Sequence, residues 1–233
     1  MADDKERLKF DLDFLEKAEG KPASPKPSEE KKPIKAAGEK SGFIDYIKEV
    51  FKDFPAFCDK YLRVKNPPYL FFLIWATGVA TAIDRVTEFD GSSWLEVWAI
   101  VLIGGLIAGY LQYWIGGAIY HLRVKWSKGG DNYDASRNIY IFSGIPIAIA
   151  SISSLILNTL VYGNEYFKTG GGSSIDILFF FILIAAIAYS INLSYKGVMF
   201  IQQPQKNRAI IWFVILPAIF YVLVFSAAIF GEL

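Results

Sequence analysis

Residues 177–195 read ILFFFILIAAIAYSINLSY, nineteen positions in succession without a charged side chain. A helix of that length rises about 28 Å at 1.5 Å per residue, close to the thickness of a bilayer's hydrocarbon core. Asp176 and Lys196 bracket it at headgroup depth, so the segment reads as a membrane span over about 175–201. Four further apolar segments lie outward from it, at about 67–83, 94–120, 139–162 and 209–230. The first, PPYLFFLIWATGVATAI, is the shortest, and its 17 residues rise only about 26 Å. Lipid offers no partner to free backbone groups, and the strand alternation of a barrel is absent. The expected fold is therefore all-α: a polytopic membrane protein with a bundle of five transmembrane helices over 67–233.

Charge follows the same division. Of 24 Lys+Arg and 23 Asp+Glu, residues 1–66 hold 15 and 14, leaving nine of each for the remaining 167 positions. A soluble globule would spread its charge along the chain. Twenty-two of the bases fall at the N-terminus, in the 121–138 loop (Arg123, Lys125, Lys128, Arg137) and in the 196–208 stretch (Lys196, Lys206, Arg208). Only Arg85 and Lys168 fall on the opposite side. The positive-inside rule then places the N-terminus in the cytoplasm and Gly231–Leu233 outside.

Composition excludes several classes. A net charge of +1 gives no basic face for nucleic acid. A single cysteine, Cys58, rules out a disulfide framework, and a single histidine, His121, leaves little for a metal centre. The first 42 residues carry no apolar run of signal-peptide length. No cofactor motif is present: Gly129-Gly130 and Gly170-Gly171-Gly172 lack the flanking Lys-Ser/Thr of a phosphate loop and read as turns.

The N-terminal region divides in two. Within 1–42, a disordered charged tail, residues 3–19 read either as a disordered terminus carrying a few apolar residues or as a short docking helix for a cytoplasmic partner. Pro22, Pro25, Pro27 and Pro33 then mark a tether. Residues 43–66 differ: Phe43, Ile47, Val50, Phe54, Phe57 and Tyr61 recur at helical steps, opposite Asp45, Lys48, Glu49, Lys52, Asp59 and Lys60. Pro55 splits the pattern, with Asp53 as cap of a second helix. The expectation is a pair of amphipathic interfacial helices, apolar face in the inner leaflet, with Phe51, Phe54 and Phe57 as the membrane-surface residues. Packing of the same face on the membrane domain is the competing reading. Cys58, on that face, reads as a small buried hydrophobe.

Span interiors contain no Asp, Glu, Lys or Arg, which argues against a proton-coupled pump. Gln112, Asn158, Tyr189 and Asn192 are polar residues inside them; Gln112, Asn158 and Asn192 form a candidate intramembrane polar site. Small residues recur at helical spacing: Gly105, Gly109, Gly116 and Gly117; Gly144, Ala148, Ala150 and Ser154; Ala185, Ala186, Ala188 and Ser190. Such rows allow close helix approach, within one chain by default or between copies in a homo- or hetero-oligomer. Pro146 should kink the third span. No Ser, Cys or carboxylate stands near His121 at triad or metal spacing, so no catalytic set emerges.

Residues 114–149, WIGGAIYHLRVKWSKGGDNYDASRNIYIFSGIPIAI, run from the second span into the third. They resemble the Yip1-domain family of membrane proteins, in the order of a long helix end, a Gly-Gly turn, an aromatic residue, then Tyr and Pro entering the next helix. The matching positions are Gly129, Gly130, Tyr133, Arg137, Tyr140 and Pro146, and the likeness spans roughly 65–230. It implies five spans behind a cytoplasmic tail and, being closest to prokaryotic members, a prokaryotic plasma membrane. The acidic-aromatic tail motif of eukaryotic members, of the kind Asp-Leu-Tyr-Gly-Pro, is missing, so the likeness does not extend to their engagement of small GTPases. From the residues themselves, Tyr133 and Tyr140 suit the inner headgroup belt. Arg123, Lys125, Lys128 and Arg137 suit anionic lipid. Asp131 or Asp134 suits the cap of the third span, with Arg137 pairing to Asp134.

The functional expectation is a non-enzymatic integral membrane protein that organises membrane or recruits a cytoplasmic partner. A small transporter or channel built on Gln112, Asn158 and Asn192 is the alternative, and a lipid-modifying enzyme near His121 a third reading.

Overall fold

A computed structural model of the chain describes residues 42–83, 93–168 and 174–231, with side chains to 227. The expected docking helix at 3–19, its tether and the 170–172 turn lie outside the described residues. Among the described residues all regular structure is helical. The helices are α1 (Phe43–Lys52), α2 (Phe54–Phe57, widening into a π turn Cys58–Leu62) and α3 (Leu70–Ile83). Next come α4 (Trp94–Leu111), a π turn Gln112–Gly116 and α5 (Gly117–Trp126), continuous as one 33-residue rod. The third rod, α6 (Tyr133–Ser143) and α7 (Ile145–Tyr162), is followed by α8 (Asn164–Lys168) and α9 (Ser174–Ile201). The last rod is α10 (Lys206–Ile210), a π turn Ile211–Ile215 and α11 (Leu216–Gly231).

Among the described residues four runs are long and apolar enough to cross a membrane: Trp94–Trp126, Tyr133–Tyr162, Ser174–Ile201 and Lys206–Ala227. The first expected segment is shorter than its apolar run. Pro67 and Pro68 contribute no N–H, Tyr69 adopts a left-handed conformation at φ 57°, and the helix starts at Leu70. Its 14 residues rise about 21 Å, less than a perpendicular crossing takes. The second rod extends six residues past the expected 120, to Trp126, and the third starts six residues before 139, at Tyr133.

Two apolar cores sit at opposite ends of the bundle. One gathers Val79, Val97, Val101, Leu155 and Phe167. The other gathers Tyr46, Phe57, Leu62, Tyr120, Phe142, Leu193 and Phe213. Between them α3 crosses α4 at backbone contact, where a Cβ on Gly78 would lie 2.0 Å from the Gly105 carbonyl oxygen. A Cβ on Gly109 would lie 2.1 Å from the Ile74 oxygen. The Gly105–Gly109 row is thus used within the chain. Ile103, Leu106, Ile107, Phe181, Val222 and Leu223 remain exposed, an apolar girdle that only lipid would cover without cost.

The N-terminal pair packs differently from its interfacial expectation. Asp53 caps α2, accepting from the Ala56 N–H at 3.2 Å, and Pro55 lies in its first turn. Phe54 and Phe57, however, are 3% and 2% exposed and point into the bundle. Phe57 meets Tyr46 and Phe142, while Phe54 seats against α9, where Gly197 has no Cβ to block it. Of the three phenylalanines only Phe51 is exposed. Bilayer and protein core are both apolar solvents, and here the protein won that stripe. Cys58 is fully buried.

Candidate functional site

Two interhelical loops meet at one end of the bundle. Helix α5 closes with the Lys128 N–H donating to the Lys125 carbonyl and the Gly129 N–H to that of Val124, both at 2.9 Å. Lys128 takes the left-handed conformation (φ 57°) that such a close requires, a place where glycine is the usual occupant. The Gly130 N–H then donates to the Gln202 carbonyl at 2.7 Å, and the Gln205 N–H to that of Ser127 at 2.9 Å. A Cβ on Gly130 would fall 2.9 Å from Gln202 Oε1, so the glycine permits this approach. The loops 127–132 and 202–205 are stitched together.

Asn132, rather than Asp131 or Asp134, caps α6: its Oδ1 accepts from the Ala135 N–H at 3.0 Å. Asp131 is free for another role. Its Oδ1 lies 3.0 Å from Lys125 Nζ and 2.9 Å from His121 Nε2. Lys125 and then His121 hold its carboxyl below the usual range. A carboxylate only accepts, so Nε2 carries a proton. His121 Nδ1 lies 3.0 Å from Ser136 Oγ. The fold thus brings an Asp, a His and a Ser into a row that local spacing did not reveal. Ser136 Oγ is fully buried, lies 3.0 Å from the Asn132 carbonyl and accepts from Gln202 Nε2 at 3.0 Å. With those neighbours and no accessible surface it serves as a joint between loops, in a conformation that admits no substrate.

Arg137, expected to face anionic lipid, is only 3% exposed. It pairs with Asp134, and its guanidinium lies 4.6 Å from the Tyr113 ring, 4.4 Å from Trp114 and 4.6 Å from Tyr133. Among the described residues its Nε and Nη1 have no hydrogen-bond partner, so the rings are their chief compensation. Gly116 and Gly117 make the room: a Cβ on Gly117 would sit 2.5 Å from Arg137 Cγ, and one on Gly116 would sit 2.7 Å from the Tyr140 hydroxyl. Tyr140 packs beside Tyr120 at 5.8 Å. Pro146 is buried in the first turn of α7, just beyond the break at Gly144, whose N–H turns back to the Ile141 carbonyl at 3.0 Å.

Arg123 is turned inward as well. It donates through Nε at 3.0 Å and through Nη2 to the carbonyl of Trp212, inside the last π turn, and lies over the Phe213 ring at 4.8 Å. Asn138 donates to the Leu62 and Val64 carbonyls at 3.3 and 2.8 Å, fixing the exit of α2 to the same end. Gln202, Asn132 and Asn138 escaped sequence reading. Gln202 and Asn138 act on partners far along the chain and leave no local pattern, whereas Asn132 caps locally, beside two aspartates that offered the same role.

The candidate polar trio does not converge. Gln112 donates to Thr81. Asn158 donates to Asp176 Oδ1 at 2.8 Å, an oxygen that Tyr166 also reaches at 3.1 Å. Asn192 stands exposed on the outer side of α9. Tyr189 instead stacks on Phe51, with ring centroids 6.0 Å apart.

Long apolar rods with an apolar girdle, joined by polar loops gathered at one end, define a multi-pass integral membrane protein of the helical-bundle class. The Yip1 domain family model matches residues 62–227 of this chain, and the chain belongs to that family. No curated protein and no solved structure matches it.

Proposed function

We propose that the chain is a non-catalytic organiser of membrane, held by five crossings, with its stitched loop end in the cytoplasm. In this reading α3 is the fifth crossing, and the bilayer thins around its short length. The tail tethers residues 3–19 as a docking segment for a cytoplasmic partner. A prokaryotic plasma membrane fits the family likeness noted in the 114–149 stretch.

One observation carries the reading. Helix α1 is clamped to the bundle through Tyr46 and Val50, yet a second apolar stripe, half-packed on the core through Phe43 and Ile47, stays partly outside. Phe43, Ile44, Ile47 and Phe51, flanked by Lys48 and Lys52, line a shallow cleft of about 490 Å³. Ile44 is 69% exposed and Phe51 40%. A stripe of that kind, with lysines at its edges, suits the acyl–headgroup boundary of an anionic leaflet. Area inserted into one leaflet and anchored to a rigid bundle favours curvature toward that side.

The test is reconstitution of the full chain into anionic vesicles at increasing protein-to-lipid ratio, followed by electron microscopy. Wild-type protein should narrow or tubulate the vesicles, and Ile44→Ser with Phe51→Ser should leave them round. Identical vesicles from both proteins would remove the proposal. Solute flux through the same vesicles would favour the transporter alternative, although the separation of Gln112, Asn158 and Asn192 supplies it no shared site.

A further inference from the structure

Beside the stitched loops, a cleft of about 540 Å³ is lined by Lys125, Trp126, Arg208 and Trp212. We infer that this cleft binds the phosphate of an anionic phospholipid, with Lys125 and Arg208 on the headgroup and the two tryptophans flanking its glycerol end. The inference is independent of the organising role proposed above, since it requires only that the bundle be embedded in lipid.

Position comes first. Trp126 is the final residue of the α4–α5 rod, and Arg208 and Trp212 lie in the opening turns of the α10–α11 rod. The cleft therefore opens where two membrane rods end, at the depth that lipid phosphates occupy. Tryptophan favours that depth because its ring is apolar and its N–H wet. The rings of Trp126 and Trp212 stand 4.7 Å apart at 41°, forming one aromatic wall.

Charge comes second. Segments 114–130 and 196–208 carry no acidic residue, while Arg123, Lys125, Lys128, Lys196, Lys206 and Arg208 fall within them. Arg123 is spent inside the protein on the Trp212 carbonyl. Arg208 is not: its one hydrogen bond among the described residues is long, 3.4 Å from Nη1 to the Trp126 carbonyl. That bond holds the guanidinium over the cleft and leaves its other donors for a ligand. Lys125 shares Asp131 with His121, so the carboxylate it touches is divided between two partners. A planar guanidinium beside an ammonium suits a phosphodiester without a cation of its own better than a zwitterionic headgroup, whose cation would face two positive groups.

The experiment uses the full chain, purified in detergent, stripped of lipid, and exposed to equal amounts of phosphatidylglycerol and phosphatidylcholine before native mass spectrometry. Phosphatidylglycerol should be retained roughly 25-fold over phosphatidylcholine, the product of two roughly fivefold single-charge effects. The preference should fall to near parity in a Lys125→Gln, Arg208→Gln variant and persist in a Lys168→Gln variant, whose change lies in α8 at the opposite end of the bundle. Should the first variant fail to fold, Arg208→Gln alone is measured, together with the salt dependence of the wild type. There the preference should shrink steadily from low salt to 0.5 M. Equal retention of the two lipids, a preference untouched by Arg208→Gln, or displacement of bound lipid by an equal concentration of inorganic phosphate would each overturn the assignment, the last by giving the site to a soluble anion.

Discussion

Arg137 shows how much one residue asks of its surroundings. A guanidinium with two unpartnered nitrogens survives burial because three aromatic faces lie within 4.6 Å and Asp134 takes a third nitrogen. A lysine keeps the charge but loses the planar stacking, so Arg137→Lys should cost about 2 kcal/mol. Thermal unfolding in detergent would read this as a fall of about 4–8 °C. Lys128 offers the opposite test. Its left-handed backbone strains any residue with a Cβ, and Lys128→Gly should stabilise by about 1 kcal/mol in the same assay. Cys58 is fully enclosed, and burial pushes its thiol well above the usual range. The folded pKa is the higher one, so the thiol's contribution to stability is intact below about pH 8.5 and is lost as alkali drives it through the folded value. A maleimide at neutral pH should leave native protein unlabelled and label it fully in denaturing detergent. At this scale the sequence discloses what is local: the Arg137–Asp134 pair sits one helical turn apart. It hides the cage, because Tyr113 and Trp114 arrive from another rod.

Helices meet through surfaces that hydropathy does not resolve. The 3–4 spacing of residues 43–61 was enough to expect α1 and α2 and the capping role of Asp53. It could not say whether Phe54 and Phe57 would dissolve in lipid or in protein, since transfer from water favours both alike. Shape decides, and Gly197 opens the space that Phe54 fills. The small-residue rows were legible as contact surfaces, but their partners were not. Gly104 and Gly105 now separate the two roles that glycine plays in α4. A Cβ on Gly105 would fall 2.5 Å from Val79 Cγ2 and 2.8 Å from Val79 Cα, whereas nothing lies within 4 Å of one on Gly104. Gly105→Ala should therefore force α3 and α4 apart and destabilise by about 1–3 kcal/mol. Gly104→Ala, one position away, should stabilise by about 0.5–1 kcal/mol through helix propensity alone. Equal effects of the two on thermal unfolding would mean that α3 and α4 do not pack as described. The π turns at 112–116 and 211–215 had no counterpart in the sequence reading. They matter because the first carries Tyr113 and Trp114 to Arg137, and the second holds the carbonyl that Arg123 reaches.

The path of the chain through the whole molecule bears on how many times it crosses. Leu62 and Val64 are fixed by Asn138 to the end where loops 127–132 and 202–205 are stitched. Trp94, by contrast, donates its backbone N–H to Asn164 Oδ1 at 2.8 Å, beside the other apolar core. The chain passes from the first end to the second between these points, and among the described residues α3 is the helix on that path. Its 14 residues are too few for a perpendicular span of average bilayer, yet they are sealed against α4 and α7 rather than against water. If the lipid accommodates that length, five crossings follow, and the basic end sits opposite the C-terminus. The arrangement is accessible to single cysteines in a Cys58→Ala background, in intact cells. On the proposed orientation, which puts that loop in the cytoplasm, Gln203→Cys should react with a membrane-impermeant maleimide only after permeabilisation. Lys168→Cys, in the short helix α8 at the opposite end, should react at once. The reverse pattern would invert the molecule while preserving its fold. Labelling of both sites from outside would mean that the two cores do not lie at opposite faces of the membrane, and the count of crossings would fail with them.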